Sequence, residues 1–383
     1  MNEQVFFFSQ PEYNLEQIQQ AVEEFFAHSE ACQKLTPDTK VLLKPNLLAK
    51  HAPEKSVTTH PLVVQAVIRA LKSKGVKTIT VADSPGGVYT PAIMKAIGQA
   101  SGLEEVCKQE GAEFYTQCQF STCSAEGKLM HQFTLLEPVL QANFIINLPK
   151  MKTHVMTNMT GAVKNLFGTI PGLQKAELHM RFPQKQYFGN MLCDLWEKVR
   201  PDITIMDAIV AMEGDGPAGG NPRKVGLLLA AENPWNLDLA VCGLMGVNPQ
   251  QVPYLNAAIR RGICQPKFQP QWAEGAKEKY HTIEGYKLPS GYVEMDFSNR
   301  FPVFLRWASP AIVKFAAPRP KVQQKKCIGC GKCAEICPGK TIAIQNKKAK
   351  ILPANCIRCF CCHEMCPIKA IDVVRPLGAL FNL

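Results

Sequence analysis

The 383-residue sequence has no apolar run approaching the roughly 18 residues needed to cross a bilayer, which predicts no membrane span. Its amino end, MNEQVFFFSQPEYN, lacks a basic segment and holds only a four-residue apolar run, so no secretory signal is expected. There is no P-loop, no well-placed G-x-G-x-x-G, no H-E-x-x-H and no G-x-S-x-G. No motif therefore nominates bound ATP, a dinucleotide, a zinc protease or a serine hydrolase. Cysteine is sparse over residues 1–326, where seven positions (32, 107, 118, 123, 193, 242 and 264) come no closer than Cys118 and Cys123. Acidic residues are scarce at the other end, where residues 318–383 hold 12 Lys and Arg against 3 Asp and Glu. That excess carries most of the net charge of +11.

What is present is a body with ample apolar material for a core, followed by a tail with nine cysteines in its last 57 residues. A long chain without an export signal and with clustered thiols predicts a reducing, cytoplasmic compartment and metal binding in place of disulfides. The tail spells C-x2-C-x2-C-x3-C-P twice, at Cys327, Cys330, Cys333, Cys337 and Pro338 and at Cys356, Cys359, Cys362, Cys366 and Pro367. This is the spacing of bacterial two-cluster ferredoxins, in which the fourth cysteine of each run serves the other cluster. Zinc knuckles use two C-x2-C pairs, or cysteine with histidine, and need no third cysteine and C-P in each half. The expected sets are Cys327, Cys330, Cys333 and Cys366 for one 4Fe-4S cluster, and Cys356, Cys359, Cys362 and Cys337 for the other. The fourth cysteines are expected at the start of short helices. Cys361 falls outside the register and reads as a small buried or sulfur-contacting side chain. The intervening GKTIAIQNKKAKILPAN fits a short hairpin.

The basic tail raises the question of nucleic acid. No helix-turn-helix, zinc finger or aromatic-interleaved basic strip accompanies it, so no nucleic-acid partner is expected. Offsetting of cluster charge and attraction of an acidic redox protein, such as ferredoxin or flavodoxin, account for the lysines better.

The body alternates apolar runs short enough for buried strands (40–46, 78–84, 143–149, 203–210 and 225–231) with helical patterns (15–30, 61–74, 91–101 and 235–245). The alternation predicts an α/β fold, a mainly parallel sheet with flanking helices, joined to a small C-terminal α+β ferredoxin-like domain. The expected boundaries are 1–300 for the body, 301–320 for a linker and 321–383 for the ferredoxin domain. Polar and glycine-rich loops are expected at the carboxyl ends of the strands: Lys44-Pro45-Asn46, DSPGG, KMKTH and MEGDGPAGGNPR. That edge is where open parallel sheets bind ligands.

The segments VLLKPNLL, VADSPGG, NLPKMKTH, MTGAVKNLFGTIPG, AELH and MDAIVAMEGDGP resemble the family known as domain of unknown function 362, whose members are often fused to a two-cluster ferredoxin. The resemblance implies this fold and cofactor and assigns no reaction.

For each body segment two readings stand. DSPGG is a tight turn or an anion-binding loop. Lys150, Lys152 and His154 are cations gathered around an anion or structural groups. Lys164, between Gly161 and Gly168, is a desolvated proton-transfer lysine or a partner of Asp83 or Glu213. Glu213 and Asp215 are chemical groups or parts of a solvated loop. The functional assignment names Lys164, His154 and His179 as catalytic, and Lys44, Asp83, Lys152 and Glu213 as binding a small anionic substrate. The expected function is a ferredoxin-type oxidoreductase that passes electrons to or from that substrate or an unidentified second cofactor. The alternative is a non-catalytic electron carrier or assembly factor whose body docks a partner.

Overall fold

The computed structural model describes residues 3–290 and 318–374. The body strands are β1 (Gln4–Ser9), β2 (Lys40–Pro45), β3 (Thr78–Val81), β4 (Glu113–Phe114), a hairpin of β5 (Phe120–Ser124) and β6 (Gln132–Leu136), then β7 (Phe144–Leu148), β8 (Lys150–His154), β9 (Asn158–Thr160), β10 (Ile203–Glu213), β11 (Asn221–Ala231) and β12 (Gln269–Trp272). Ten of these form one sheet in the order β12-β1-β11-β10-β7-β2-β3-β4, with β8 beside β10 and β9 beside β8. Most pairs are parallel; β11 runs antiparallel to both β1 and β10, and β9 antiparallel to β8.

Alternate residues of each central strand enter opposite apolar layers, because successive side chains leave a strand on opposite faces. Leu42 and Ile145 belong to one layer, while Val41, Leu43, Phe144 and Ile146 belong to the other. The amino-terminal VFFF run divides in the same way, with Val5 and Phe7 on one face and Phe6 and Phe8 on the other. The apolar run too short for a signal is therefore a doubly buried strand, absent from the strands expected above.

Helices Leu15–His28, Pro61–Ser73, Pro91–Ser101 and Pro234–Met245 cover the sheet. Their ends follow local chemistry. His60 accepts a hydrogen bond from the Leu62 amide with Pro61 in the first turn, and Asn233 accepts from the Trp235 amide.

Three sequence expectations need correction here. KMKTH is not a loop but β8. Pro149, which has no amide hydrogen, separates β7 from β8, and the extended chain then resumes along the 11-residue β10. Arg319 and Pro320, assigned to the linker, belong to β13 (Arg319–Val322), which pairs with β16 (Ile371–Val374). The rest of the expected linker up to residue 317, and residues 291–300 of the expected body, lie outside the described residues.

The tail's other pair is β14 (Ile342–Gln345) with β15 (Lys348–Ile351), the expected hairpin. Two short helices, Lys332–Glu335 and Cys361–Glu364, carry the third cysteine of each run. The fourth cysteines, Cys337 and Cys366, therefore follow the helices and do not start them.

Candidate functional site

The carboxyl ends of β2 and β3 meet β8, β9 and the turn-rich segment 161–179 around an open-mouthed cleft. Lys44, Asp83, Lys152, Lys164 and His179 line it, together with Thr160 and Lys175. The opposite wall comes from the tail: Ile336, Cys361, Glu364 and Met365. His154 completes the contact, with its Nε2 3.3 Å from Glu364 Oε1.

Glu213 is not brought to the cleft. It ends β10 opposite Asn221, and its Oε2 accepts from the Lys287 amide at 3.1 Å and lies 4.0 Å from Arg223. The long β10 carries this carboxylate past the other strand ends. Asp215 likewise bonds Ser290. Lys150 is buried against Asp207 at 2.8 Å and Tyr13 at 2.7 Å, outside the cleft lining.

Three of the cleft's lysines are consumed by protein oxygens. Lys44 pairs with Asp83 at 2.8 Å and donates to the Pro45 carbonyl at 2.9 Å. Burial depresses its pKa, and Asp83 opposes that shift. A Cβ at Gly168 would stand 1.9 Å from Asp83 Oδ1, so only glycine lets the backbone cross over this ion pair. Lys152 donates to Asn46 Oδ1 and the Val57 carbonyl, both at 2.8 Å. Lys175 is held by the carbonyls of Ser84 and Pro85 and by Ser84 Oγ, and burial lowers its pKa to about 7.

Lys164 differs. Among the described residues its ammonium makes no hydrogen bond and only stands 5.9 Å from the centre of the Phe167 ring. Protein surrounds it although it opens on the cleft, and desolvation lowers its pKa to about 8 against the attraction of Glu364. It pairs with neither Asp83 nor Glu213.

His154 Nδ1 accepts from the amides of Met156 at 3.1 Å and Thr157 at 3.4 Å. The ring proton is thereby assigned to Nε2, which is aimed at Glu364. Burial, followed by Lys164, holds this imidazole neutral, while burial pushes the Glu364 carboxyl upward. His179 stacks on Phe188 at 4.5 Å, and burial lowers its pKa to about 3. Thr160 Oγ1, His154 Nε2, His179 Nδ1 and Glu364 Oε1 are buried without a hydrogen-bond partner. Such atoms each cost about 1–3 kcal/mol unless something binds them; Thr160 and His179 line the cleft and mark it as a ligand position, while His154 Nε2 and Glu364 Oε1 face each other across 3.3 Å.

The tail cysteines ring two further voids. Cys327, Cys330, Cys333 and Cys366 line one, and Cys337, Cys356, Cys359 and Cys362 line the other. Backbone amides of Ala349, Ala370 and Thr341 point at the sulfurs of Cys327, Cys366 and Cys337 at 3.3, 3.1 and 3.4 Å. Such donors suit thiolates that hold a cluster. Among the described residues no three Cys, His, Asp or Glu side chains are placed around one metal ion; the thiols surround voids. Cys361 is buried, hydrogen-bonded to Cys359, and on the cleft side of the second void.

The glycine-rich loops seat this tail. Met365 packs over Gly86 and Gly87, where a Cβ would come within 3.0 and 3.1 Å of its side chain. His363 Nε2 lies 3.1 Å from the Asp215 carbonyl, and Lys369 donates to the carbonyls of Gly219 at 3.2 Å and Gly220 at 3.0 Å. DSPGG and EGDGPAGG thus act in domain contact.

Comparison with known proteins matches Domain of unknown function (DUF362) to residues 41–243, more than half of the chain. The chain belongs to the DUF362 family. The match encloses the whole body wall of the cleft, from Lys44 to Pro217. A 4Fe-4S dicluster domain matches residues 319–367, which carry the tail wall and all eight in-register cysteines, so the tail binds iron–sulfur. The chain is also 32% identical over 270 residues, 68% of its length and 79% of the relative's, to "Thylakoid-associated protein sll1697" of Synechocystis sp.. No helix among the described residues of this DUF362 protein is long and apolar enough to cross a membrane.

Sequence reasoning missed Lys175, Thr160 and Glu364. Thr160 lies inside MTGAVKNLFGTIPG and Lys175 immediately precedes AELH, two segments quoted for the family resemblance, so their neighbourhood was a signal. Glu364 had none, because its role arises only where the tail meets the body.

Proposed function

We infer that this protein is an iron–sulfur oxidoreductase that exchanges electrons between a redox protein and a small anionic substrate held between its two domains. The observation behind the reading is the composition of the cleft. Its body wall supplies an uncommitted lysine, and its tail wall is the helix Cys361–Glu364, which contains Cys362 and follows Cys359. The residues fit two 4Fe-4S clusters, with Cys327, Cys330, Cys333 and Cys366 around one and Cys337, Cys356, Cys359 and Cys362 around the other. When bound, these groups supply one-electron transfer, with potentials tuned by burial and hydrogen bonds to sulfur.

The chain's own residues do the rest. Lys164 binds the substrate's anionic group through a charge-assisted hydrogen bond and is the preferred proton donor. Lys44, Lys152 and Lys175 are locked to protein oxygens. Their locked geometry keeps the cleft preorganised. Asp83 fixes Lys44 and also accepts from the Leu47 amide at 2.6 Å. His154 and Glu364 hold one proton between them at the domain boundary, and His179 offers an unprotonated Nδ1 or its hydrogen. Ile336, Met365 and Phe167 exclude water.

Anaerobically isolated protein is expected to hold roughly eight iron and eight sulfide per chain. Clusters reduced by dithionite should be reoxidised by the substrate, best identified as a molecule that copurifies. Lys164→Ala should keep iron, sulfide and dithionite reduction and lose that reoxidation. If Lys164→Ala reoxidises as fast as the parent, the cleft is not the reaction site and the non-catalytic carrier reading takes its place.

A further inference from the structure

The two cysteine-ringed voids differ in what lies outside them. The Cys337/Cys356/Cys359/Cys362 void is separated from the cleft by Cys361 and Ile336. The Cys327/Cys330/Cys333/Cys366 void shares no lining residue with the cleft. Cys330 is exposed, and the void's rim carries Ile328, Ile344 and Ile368, which are 62%, 39% and 37% exposed. These large apolar side chains come from three separate segments and meet only here.

Exposed lysines neighbour the void's cysteines along the chain: Lys326 before Cys327, Lys332 before Cys333, and Lys347 at the hairpin turn. That turn packs on the loop, since a Cβ at Gly329 would lie 2.3 Å from the Lys347 carbonyl. Residues 325–350 carry seven lysines and a single carboxylate, Glu335. An apolar centre with a basic rim matches a partner whose own apolar contact is ringed by carboxylates.

We propose that this face docks an acidic one-electron carrier protein, so that electrons cross between carrier and chain at Cys327/Cys330/Cys333/Cys366 and reach the cleft through the other cysteine set. In the exchange the reduced carrier is oxidised by one electron. The adjacent cluster gains that electron, and no bond or proton changes place. The proposal rests on the two-cluster reading above and is independent of the identity of the substrate.

The test uses full-length, cluster-loaded protein and an acidic plant-type ferredoxin. Two readouts are taken: complex formation with the oxidised ferredoxin by calorimetry, and the stopped-flow rate of reduction by the reduced form. The triple variant Lys326→Glu, Lys332→Glu, Lys347→Glu is compared with Lys72→Glu, Lys74→Glu, Lys77→Glu, which changes net charge equally on the body. The rim triple should weaken binding and slow reduction by about tenfold or more at low ionic strength. The gap should close towards about 1 M salt, and reduction by dithionite should be unaffected.

Equal effects of the two triples, or none from the rim triple, overturn the proposal. If the rim triple fails to retain iron, Ile328→Ser decides: the solvent-facing side chain is expendable for folding, and its loss should weaken ferredoxin binding severalfold without changing the salt slope. Unchanged binding overturns the proposal, as does a wild-type dimer that Ile328→Ser converts to monomer, which would make the face a contact between copies. Carrier reduction does not need Lys164, so failure here and failure of the cleft reading give different results.

Discussion

The two halves of the molecule solve the problem of a core differently. In the body, aliphatic and aromatic side chains on both faces of a ten-stranded sheet form two extended layers, and the ionisable groups at the strand ends are paired off against protein oxygens. In the tail, the buried cluster consists of Cys327, Cys333, Ala349, Cys362, Ala370 and Ile371, of which three are thiols that line the two cysteine-ringed voids. A core so small cannot stand on burial alone, and metal binding becomes folding free energy. One half therefore carries its own extended apolar core, while the other places thiols where a core would be, and the cleft lies on the seam.

The strongest way to break this contrast is to remove the metal. Chelation of iron, or Cys362→Ser, should unfold most of the tail while the body keeps its cooperative transition. Limited proteolysis with calorimetry would show this as fragments ending after residue 317 and a retained body transition. Joint loss of both halves would mean that the body also depends on the clusters.

Within the body, Lys44→Ala and Lys164→Ala should separate structure from chemistry. Breaking the buried Lys44–Asp83 pair leaves an uncompensated carboxylate and should cost about 3–5 kcal/mol in denaturant unfolding. Lys164→Ala breaks no hydrogen bond among the described residues and should change stability by less than about 1 kcal/mol, while still losing substrate-dependent reoxidation.

Gly219→Val tests the seam itself. A Cβ there would lie 2.6 Å from the Asp215 carbonyl and 2.7 Å from His363 Nε2, so either the loop or the tail must shift. The expected cost is about 1–3 kcal/mol, read as faster amide exchange around residues 363–370 with the body sheet unchanged.

The smallest effect concerns pH. Lys164 carries its proton below its pKa of about 8 and loses it above, so an anionic substrate should bind normally at pH 7 and progressively more weakly past 8. The limiting loss is about tenfold per pH unit. Lys164→Arg, whose guanidinium stays charged, should flatten that profile. A profile unchanged by the substitution would remove Lys164 as the titrating group.

Much of this was legible in the sequence because it depended on spacing or periodicity. The cysteine register grouped eight thiols into two sets of four, and alternation of apolar runs with helical patterns indicated the sheet. Those signals are local: three residues between ligands, or the period of a strand. The VFFF strand was overlooked because its neighbours in the sheet, β11 and β12, lie more than 200 residues away. KMKTH looked like a loop because its charges are buried by partners supplied elsewhere, Asp207 for Lys150 and Asn46 for Lys152.

What only the tertiary structure decided is which polar groups are spent and which remain free. Sequence shows Lys44, Lys152, Lys164 and Lys175 as four similar cations; folding hands three of them to protein oxygens and leaves Lys164 open. It likewise shows Glu213 as a plausible partner and Glu364 as an unremarked tail residue, and folding reverses the two by carrying β10 past the cleft and pressing the helix Cys361–Glu364 against it. A residue's type fixes the charge and donors it brings. Its neighbours across the fold fix desolvation and pairing, and those long-range contacts decide whether a buried lysine holds the structure together or binds a ligand.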